Sequence, residues 1–294
     1  DSLTLLLLCC HPALSPTSQV ALTLRAVGGL TTAEIAHAYG MTENTMGTRI
    51  SRAKQQLARA GARFTPPTDA DRDARMAAVM QVLYLIFNEG YTASAGAELT
   101  RVDLTREAIR LTRMLHESLP DDVEATGLLA LMLLTEARRA ARTTAADDLV
   151  TLDEQDRGRW DRDLIRAGTL LIDSVWNRGE VGPYQLQAAI ASVHAAASSP
   201  AETDWAQIAA LYLWLERLAP SAPVRLSRVV AMARAYGPAR GLALLDDLDR
   251  RHGLSTEPLT RRRERAVRAH LLENTGDATG AAALYRSAAA LTDN

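Results

Sequence analysis

Residues 30–60 have the sequence LTTAEIAHAYGMTENTMGTRISRAKQQLARA, and this stretch decides how the first part of the chain folds. Thr31 and Glu34 have the spacing of a capping box, in which a threonine caps a helix and a glutamate reaches back to it. Gly40 stands where a left-handed residue can end a short first helix, and Thr42 can cap a second helix. The stretch therefore predicts two helices joined by a tight turn, a helix-turn-helix.

The second predicted helix has an apolar side and a polar, basic side. The apolar positions recur at helical spacing and should pack on the first helix: Met46, Ile50, Ala53 and Leu57. The predicted DNA-binding residues are Thr42, Asn44, Thr45, Thr48, Arg49, Ser51, Arg52, Lys54 and Gln55. Early polar residues of such a helix reach base edges in the major groove, while later cations meet phosphates. The alternative is a solvated basic face on an ordinary helix pair, but the complete set of caps and core positions favours DNA binding.

This stretch resembles region 4 of bacterial sigma factors, especially the extracytoplasmic-function group. The residues that carry the resemblance are Leu30, Glu34, Ile35, Ala36, Gly40, Thr45, Met46, Arg49, Ile50, Arg52, Ala53, Lys54 and Leu57, with Leu14–Pro16 and Val20–Arg25 upstream. The resemblance covers the N-terminal part of the chain. It implies binding to the −35 element of promoter DNA and to the core of RNA polymerase.

Two features depart from that family pattern. Gly47 lies inside the predicted recognition helix, where glycine costs about 0.5–1 kcal/mol relative to alanine. The chain also has no region 2, the domain with which such factors open the −10 element. Because it begins at Asp1 without a methionine, we expect it to be the C-terminal part of a longer protein.

Charge is distributed unevenly along the 294 residues, whose formal net charge is −2. Residues 1–62 carry a net charge of +2, and the remainder carries −4. A hydrophobic content of 47% is typical of a globular protein, and 294 residues are enough for two or three domains. A basic head followed by an acidic body fits a small DNA-binding domain joined to a protein-binding module.

The two cysteines, Cys9 and Cys10, are adjacent and form neither a disulfide framework nor a CxxC pair. We expect them to be core thiols in a reducing cytoplasm. The apolar run Leu3–Cys10 is too short to span a membrane, so no membrane partner is predicted.

The remaining sequence predicts helices and no strand, so the predicted fold class is all-α. Residues 1–61 form the predicted DNA-binding domain, residues 62–75, with Pro66 and Pro67, a linker, and residues 76–294 a helical domain. The helices predicted after the linker are Asp71–Asn88, Thr100–Leu119, Asp122–Ala141, Asp156–Asn177, Pro183–Ala197, Glu202–Leu218, Val224–Tyr236, Ala239–Arg251, Leu259–Asn274 and Asp277–Leu291.

A loose repeat runs through this helical part and is typical of the second helix of a tetratricopeptide repeat. Its copies are Ala108-Thr112-Leu115-Pro120, Ile208-Tyr212-Leu215-Pro220, Gly241-Leu245-Leu248 and Ala281-Tyr285-Ala288. The alternative is a generic alanine-rich bundle. Some sigma factors of the extracytoplasmic-function group carry a tetratricopeptide-like C-terminal extension, and this chain is similar to them.

No pattern for catalysis, a cofactor or a metal is present. The six histidines are scattered without metal-ligand spacing, and neither a P-loop nor a GxSxG motif occurs, which disfavours an enzyme. Acidic residues at 147–163 alternate with arginines and predict a salt-bridged surface loop. Residues 88–100 are polar and contain glycine, so we expect both segments to be docking loops.

The preferred hypothesis is the C-terminal part of an alternative, extracytoplasmic-function sigma factor. Its helical-repeat extension would regulate activity through protein–protein contacts, including contacts with the factor's own sigma domains. The alternative is a helix-turn-helix regulator with a ligand- or protein-sensing helical domain. Binding to core polymerase distinguishes the two.

Overall fold

The computed structural model describes residues 2–62, 69–91, 102–144 and 148–291. Over these ranges the chain is helical, and the only β-type pairing is an isolated bridge between Thr143 and Leu149. The predicted all-α fold class is therefore confirmed. None of the helices in these ranges is long and apolar enough to cross a membrane.

The chain forms two compact units, Asp1–Gly179 and Glu180–Asn294. The helices of the first unit are α1 (Ser2–Cys9), α2 (Pro16–Ala26), α3 (Thr32–Ala38), α4 (Glu43–Arg59), α5 (Asp69–Tyr91), α6 (Val102–Ser118), α7 (Val123–Glu136) and α8 (Arg162–Val175). Those of the second are α9 (Pro183–Ala196), α10 (Trp205–Leu218), α11 (Ala222–Tyr236), α12 (Pro238–His252), α13 (Arg261–Thr275) and α14 (Ala278–Ala289). The division at residues 61 and 75 stays a prediction, although α5 already begins at Asp69.

In the first unit, α2 and α3 pack on α4, and α5 packs on α1, α2, α6 and α7. Leu24, Ile35 and Met46 are buried in the core of α2–α4. Helix α7 has the sequence VEATGLLALMLLTE and is buried on nearly every side, as expected of a helix without a polar face. The α5–α8 helices are thus built around α7.

Close approach of α7 and α8 depends on Gly168. A Cβ atom at this position would lie 2.7 Å from Leu134 Cγ, and also 3.2 Å from the carbonyl oxygen of Ala130. Both distances are shorter than ordinary van der Waals contact, so only glycine fits here without displacing α7.

The second unit is a succession of antiparallel helices in which each helix contacts the next, and α11 also contacts α13. Its core includes Leu226, Val229, Leu245, Leu248 and Leu271. The structure therefore has the short-range packing expected of consecutive helical hairpins.

Two predicted helices extend across a break in the observed structure, whereas the ends of the others lie within three residues of the observed ends. The helix predicted over Asp122–Ala141 ends at Glu136, and a 3₁₀ turn follows at Arg139–Ala141. The helix predicted over Asp156–Asn177 is a 3₁₀ turn at Arg157–Arg159 followed by α8. The break occurs because the Asp161 carboxylate accepts hydrogen bonds from the backbone amides of residues 163 and 164 and so starts a new helix.

Candidate nucleic-acid interface

The entry into the helix-turn-helix is fixed by a capping box at the start of α3. The Glu34 amide donates to Thr31 Oγ1 at 3.1 Å, and the Thr31 amide donates to Glu34 Oε2 at 2.7 Å. These hydrogen bonds from Thr31 lower the pKa of the Glu34 carboxyl, since they favour its charged form. The cap predicted from the spacing of these two residues is confirmed.

The turn between α3 and α4 is closed by backbone geometry. Gly40 has φ of +61°, a left-handed conformation that L side chains adopt at a cost. The Met41 amide then donates to the Ala36 carbonyl at 2.9 Å. Thr42 caps α4, because its Oγ1 accepts a hydrogen bond from the Thr45 amide at 3.2 Å. These contacts set the angle at which α4 leaves the turn.

Helix α4 has the predicted two sides. Met46, Ile50, Ala53 and Leu57 are all buried against α2 and α3, so the apolar side is confirmed. A Cβ atom at Gly47 would have one neighbour, Thr32 Cγ2, at 3.8 Å. That distance leaves room for a methyl group, so packing does not require glycine here.

The predicted DNA-binding residues lie on the solvent side of α4. Thr42, Asn44, Thr45, Thr48, Ser51, Arg52, Lys54 and Gln55 are exposed, and Arg49 is half-buried. Their arrangement shows which of them share a surface, but their contact with DNA stays a prediction.

A groove of about 500 Å³ separates α4 from the start of α2. We call it the α2–α4 groove. Its α4 wall brings together five predicted residues: Asn44, Thr45, Thr48, Arg49 and Arg52. Thr42, Ser51, Lys54 and Gln55 are outside this groove, and the Thr42 hydroxyl is occupied by its capping contact with Thr45.

The α2 wall of the groove was not predicted as part of the site. It is formed by Ser15, Thr17 and Ser18, and Gln56 also lines the groove from α4. The Gln56 side-chain amide donates to the Ala13 carbonyl at 2.5 Å, which ties the end of the groove to the chain before α2. The Ser-Pro pair at residues 15 and 16 predicts the start of a helix. It lies far from α4 in the sequence, so the sequence alone does not predict that Ser15 lines the same groove as α4.

The electrostatic character of α4 comes from four cations that no described residue neutralises. Arg49, Arg52, Lys54 and Arg59 form no ion pair with any residue that the structure describes. The single acidic residue of α4, Glu43, lies in its first turn, where it suits the helix dipole. The positive charges are therefore available to an external polyanion.

Helices α5 and α6 contact residues 1–62, which we call the head. Arg75 of α5 donates to the Leu7 carbonyl at 2.8 Å, and Arg110 of α6 donates to the Val27 carbonyl at 3.3 Å. A small cavity of about 200 Å³ also lies between the head and α5. Tyr39 lines it, and burial raises the pKa of that phenol, with a further contribution from Glu89.

The two predicted docking loops have different outcomes. Of residues 88–100, the structure describes only 88–91, which end α5, and the rest lie outside the described residues. Residue 147 is likewise outside, but 148–163 are described. Asp156 caps a 3₁₀ turn and Asp161 caps α8, while Arg157 is buried with its guanidinium 4.8 Å from the Trp160 ring centroid. The surface loop predicted here is largely exposed and Asp163 forms an ion pair with Arg166, but Gln155, Arg157 and Trp160 are buried and Asp156 and Asp161 serve as helix caps.

Metal and thiol chemistry have no support around the site. No group of three His, Cys, Asp or Glu residues in the described ranges could hold a metal ion. Cys9 and Cys10 are buried and unbridged, and burial raises the pKa of each thiol to about 12. Both therefore stay protonated and unreactive near neutral pH.

Comparison with known proteins agrees with the geometry of the head. Residues 4–57 match the family model described as Sigma-70, region 4, and residues 75–176 match a family of unknown function, DUF6596. The uncharacterized protein R00370 of Rhizobium meliloti (strain 1021) is 42% identical over 301 residues, which cover 100% of this chain and 68% of that protein. No solved structure matches the chain.

Region 4 of sigma-70 factors is a helix-turn-helix that binds promoter DNA and RNA polymerase, and α1–α4 contain its matched residues. The matched family, sigma-70 region 4, is a family of DNA-binding domains and not a family of enzymes. The chain is a member of the family that includes the Rhizobium meliloti protein, and it carries a sigma-70 region 4 domain followed by a DUF6596 segment.

Proposed function

We propose that this chain is the C-terminal part of an alternative sigma factor of the extracytoplasmic-function type. It directs RNA polymerase to promoters by recognising the −35 element, and its helical extension regulates that activity through protein–protein contacts. The observation that carries the proposal is the α2–α4 groove, in which Arg49 and Arg52 stand beside the polar residues Asn44 and Thr48. In this role the protein works in the cytoplasm, where RNA polymerase and promoter DNA are found.

The residue types in this groove suit a promoter. Asn44 and Thr48 can hydrogen-bond to base edges, whereas Arg49 and Arg52 can contact either guanine or phosphate. The nine DNA-binding residues predicted from the sequence remain the proposed contacts, with Ser15, Thr17 and Ser18 added from the α2 wall and Gln56 from α4.

The regulatory part of the proposal is supported by the attachment of the extension to the head. Arg75 and Arg110 contact backbone carbonyls of α1 and of the residue that ends α2, so a partner that moves α5 or α6 also displaces α2, on which α4 packs. A partner of this kind could be polymerase or the factor's own sigma domains.

We further propose that the second unit is a tetratricopeptide-like array. The repeat residues Ile208, Leu215, Leu245 and Leu248 are all buried on the second helix of successive pairs. Contacts of α11 with both α12 and α13 are those of stacked hairpins, which form extended surfaces for protein partners.

Binding to core polymerase tests the proposal. The chain should bind core polymerase, and a labelled −35 duplex should be retained better by the complex than by either component alone. Arg52→Ala should weaken DNA retention and leave the binding of core unchanged. Tight, specific binding of duplex DNA without any binding of core would instead favour the alternative, a helix-turn-helix regulator with a sensing domain.

A further inference from the structure

A second concave surface lies among α6, the turn after α7 and α8, and its volume is about 610 Å³. Four arginines line it: Arg106, Arg110, Arg113 and Arg139. The first three recur at i, i+4 and i+7 and so share one face of α6, while the fourth comes from the 3₁₀ turn after α7. We call this surface the arginine groove.

The positive charge of the arginine groove is only partly neutralised. Arg110 pairs with Glu107, and Arg139 pairs with Glu136. Arg106 and Arg113 form no ion pair with another residue in the described part of the chain. Burial lowers the pKa of Arg139, and repulsion from Arg106 lowers it further. An anion bound between these side chains would relieve that repulsion.

One acceptor in the arginine groove also lacks a donor. The Glu136 side chain is 5% exposed, and its Oε1 accepts from Arg139. Its Oε2 is buried and has no hydrogen-bond partner among the residues that the structure describes. Buried carboxylate oxygens are rarely left in this state, so Glu136 has the capacity to accept one more hydrogen bond. A ligand with a hydroxyl or amino donor would complete the site once the Glu136 side chain turns toward the groove that it lines.

The remaining wall of the arginine groove is apolar and comprises Ile109, Met114 and Leu164. Small-molecule sites combine such a wall with a few polar groups and have volumes of about 300–1,000 Å³. The concave shape and the carboxylates of Glu117 and Glu136 disfavour a continuous nucleic-acid backbone, whose charge is negative throughout. A small molecule with one charged end fits the arrangement better.

We propose that the arginine groove binds a small phosphate ester of the nucleotide class. Arg106 and Arg113 hold the phosphate groups through paired N–H donors, the apolar wall contacts the base, and a hydroxyl or amino group of the ligand donates to Glu136. This inference goes beyond the proposed function, because it gives the helical extension a chemical input that is separate from the DNA face.

Calorimetric titration of the whole chain with ATP, GTP and inorganic pyrophosphate tests the proposal. At least one nucleotide should bind with a Kd below about 1 mM, and more tightly than pyrophosphate, which has no group for the apolar wall. The Arg106→Ala/Arg113→Ala double variant should weaken that binding by roughly tenfold or more. Arg262→Ala, which removes an exposed arginine of α13, is the matched control and should change nothing.

Three results would overturn the proposal. The first is the absence of binding by either nucleotide below that Kd, and the second is equal binding by the wild type and the double variant. The third is a loss of duplex DNA binding in the double variant without any nucleotide binding, which would assign the groove to the DNA surface. Circular dichroism checks that the double variant is folded, and Arg113→Ala alone, at an exposed position, supplies a milder second measurement.

Discussion

Replacing Arg52 by alanine isolates the contribution of one cation in the α2–α4 groove. Arg52 is exposed and forms no ion pair within the described ranges, so its removal breaks no intramolecular charge pair. Arginine and alanine are both good helix formers, so α4 should keep its stability to within a few tenths of a kcal/mol. Any change in DNA affinity then reports on the protein–DNA contact.

The size of the loss depends on what Arg52 contacts. If its guanidinium binds a base edge, alanine should cost about 1–3 kcal/mol, which is roughly 5- to 150-fold in Kd. If it contacts a phosphate, the affinity should fall on all sequences alike, and the slope of log K against log salt should decrease by about one. Arg49, three residues earlier and half-buried, keeps part of the positive potential in the groove.

Fluorescence anisotropy with a labelled −35 duplex, measured from about 50 to 200 mM salt, separates these two cases. Thr48→Ala tests a neighbouring polar side chain of the same groove, and Arg262→Ala in the second unit controls for the loss of one positive charge. Unchanged affinity and salt dependence in both the Arg52→Ala and Thr48→Ala variants would refute the placement of the DNA interface on this side of α4.

Three further predictions concern the head. Gly47→Ala should raise the free energy of unfolding by about 0.5–1 kcal/mol in urea denaturation, because the position is helical and has room for a methyl group; a lower stability would contradict the packing described for it. The folded pKa of Glu34 is depressed, so its capping contribution is present above its ordinary pKa of 4.5 and is lost as pH falls through the folded value. Urea midpoints of the wild type and Glu34→Gln should therefore converge at acidic pH. In a Thr31→Ala background the difference between Glu and Gln at neutral pH should shrink but persist, because the backbone amide of residue 31 still donates to Glu34. Cys9 and Cys10 should react with a thiol reagent at pH 8 far more slowly in the native protein than in urea, and equal rates would contradict their burial.

The helix-turn-helix could be predicted because its determinants are local. The Thr31–Glu34 capping box, the glycine of the turn and the apolar spacing of α4 all lie within residues 30–60. Each of these signals acts through contacts between residues that are close in sequence, so the pattern of residue types is sufficient to specify them.

The parts that escaped prediction depend on contacts between distant residues. Ser15 and Ser18 come beside Arg52 only because α2 packs on α4, and no local pattern shows that contact. The arginines of α6 have the spacing of an ordinary solvated face until Arg139, from the turn after α7, is placed opposite them. The break before α8 depends on a local contact, the cap formed by Asp161. It is not predicted because Asp161 lies in a polar run with several other carboxylates, any of which could cap a helix.

Two of the hydrogen bonds that attach the head to the following helices use only the peptide backbone on the head side. Arg75 and Arg110 recognise the carbonyl oxygens of Leu7 and Val27, groups that every amino acid possesses. Exposed side chains of the head can therefore change while these two anchoring hydrogen bonds persist, whereas the buried side chains of α1 and α2 are constrained by their packing on α5. Exchange of region 4 domains between relatives should for this reason preserve these two hydrogen bonds between the head and the helices that follow it.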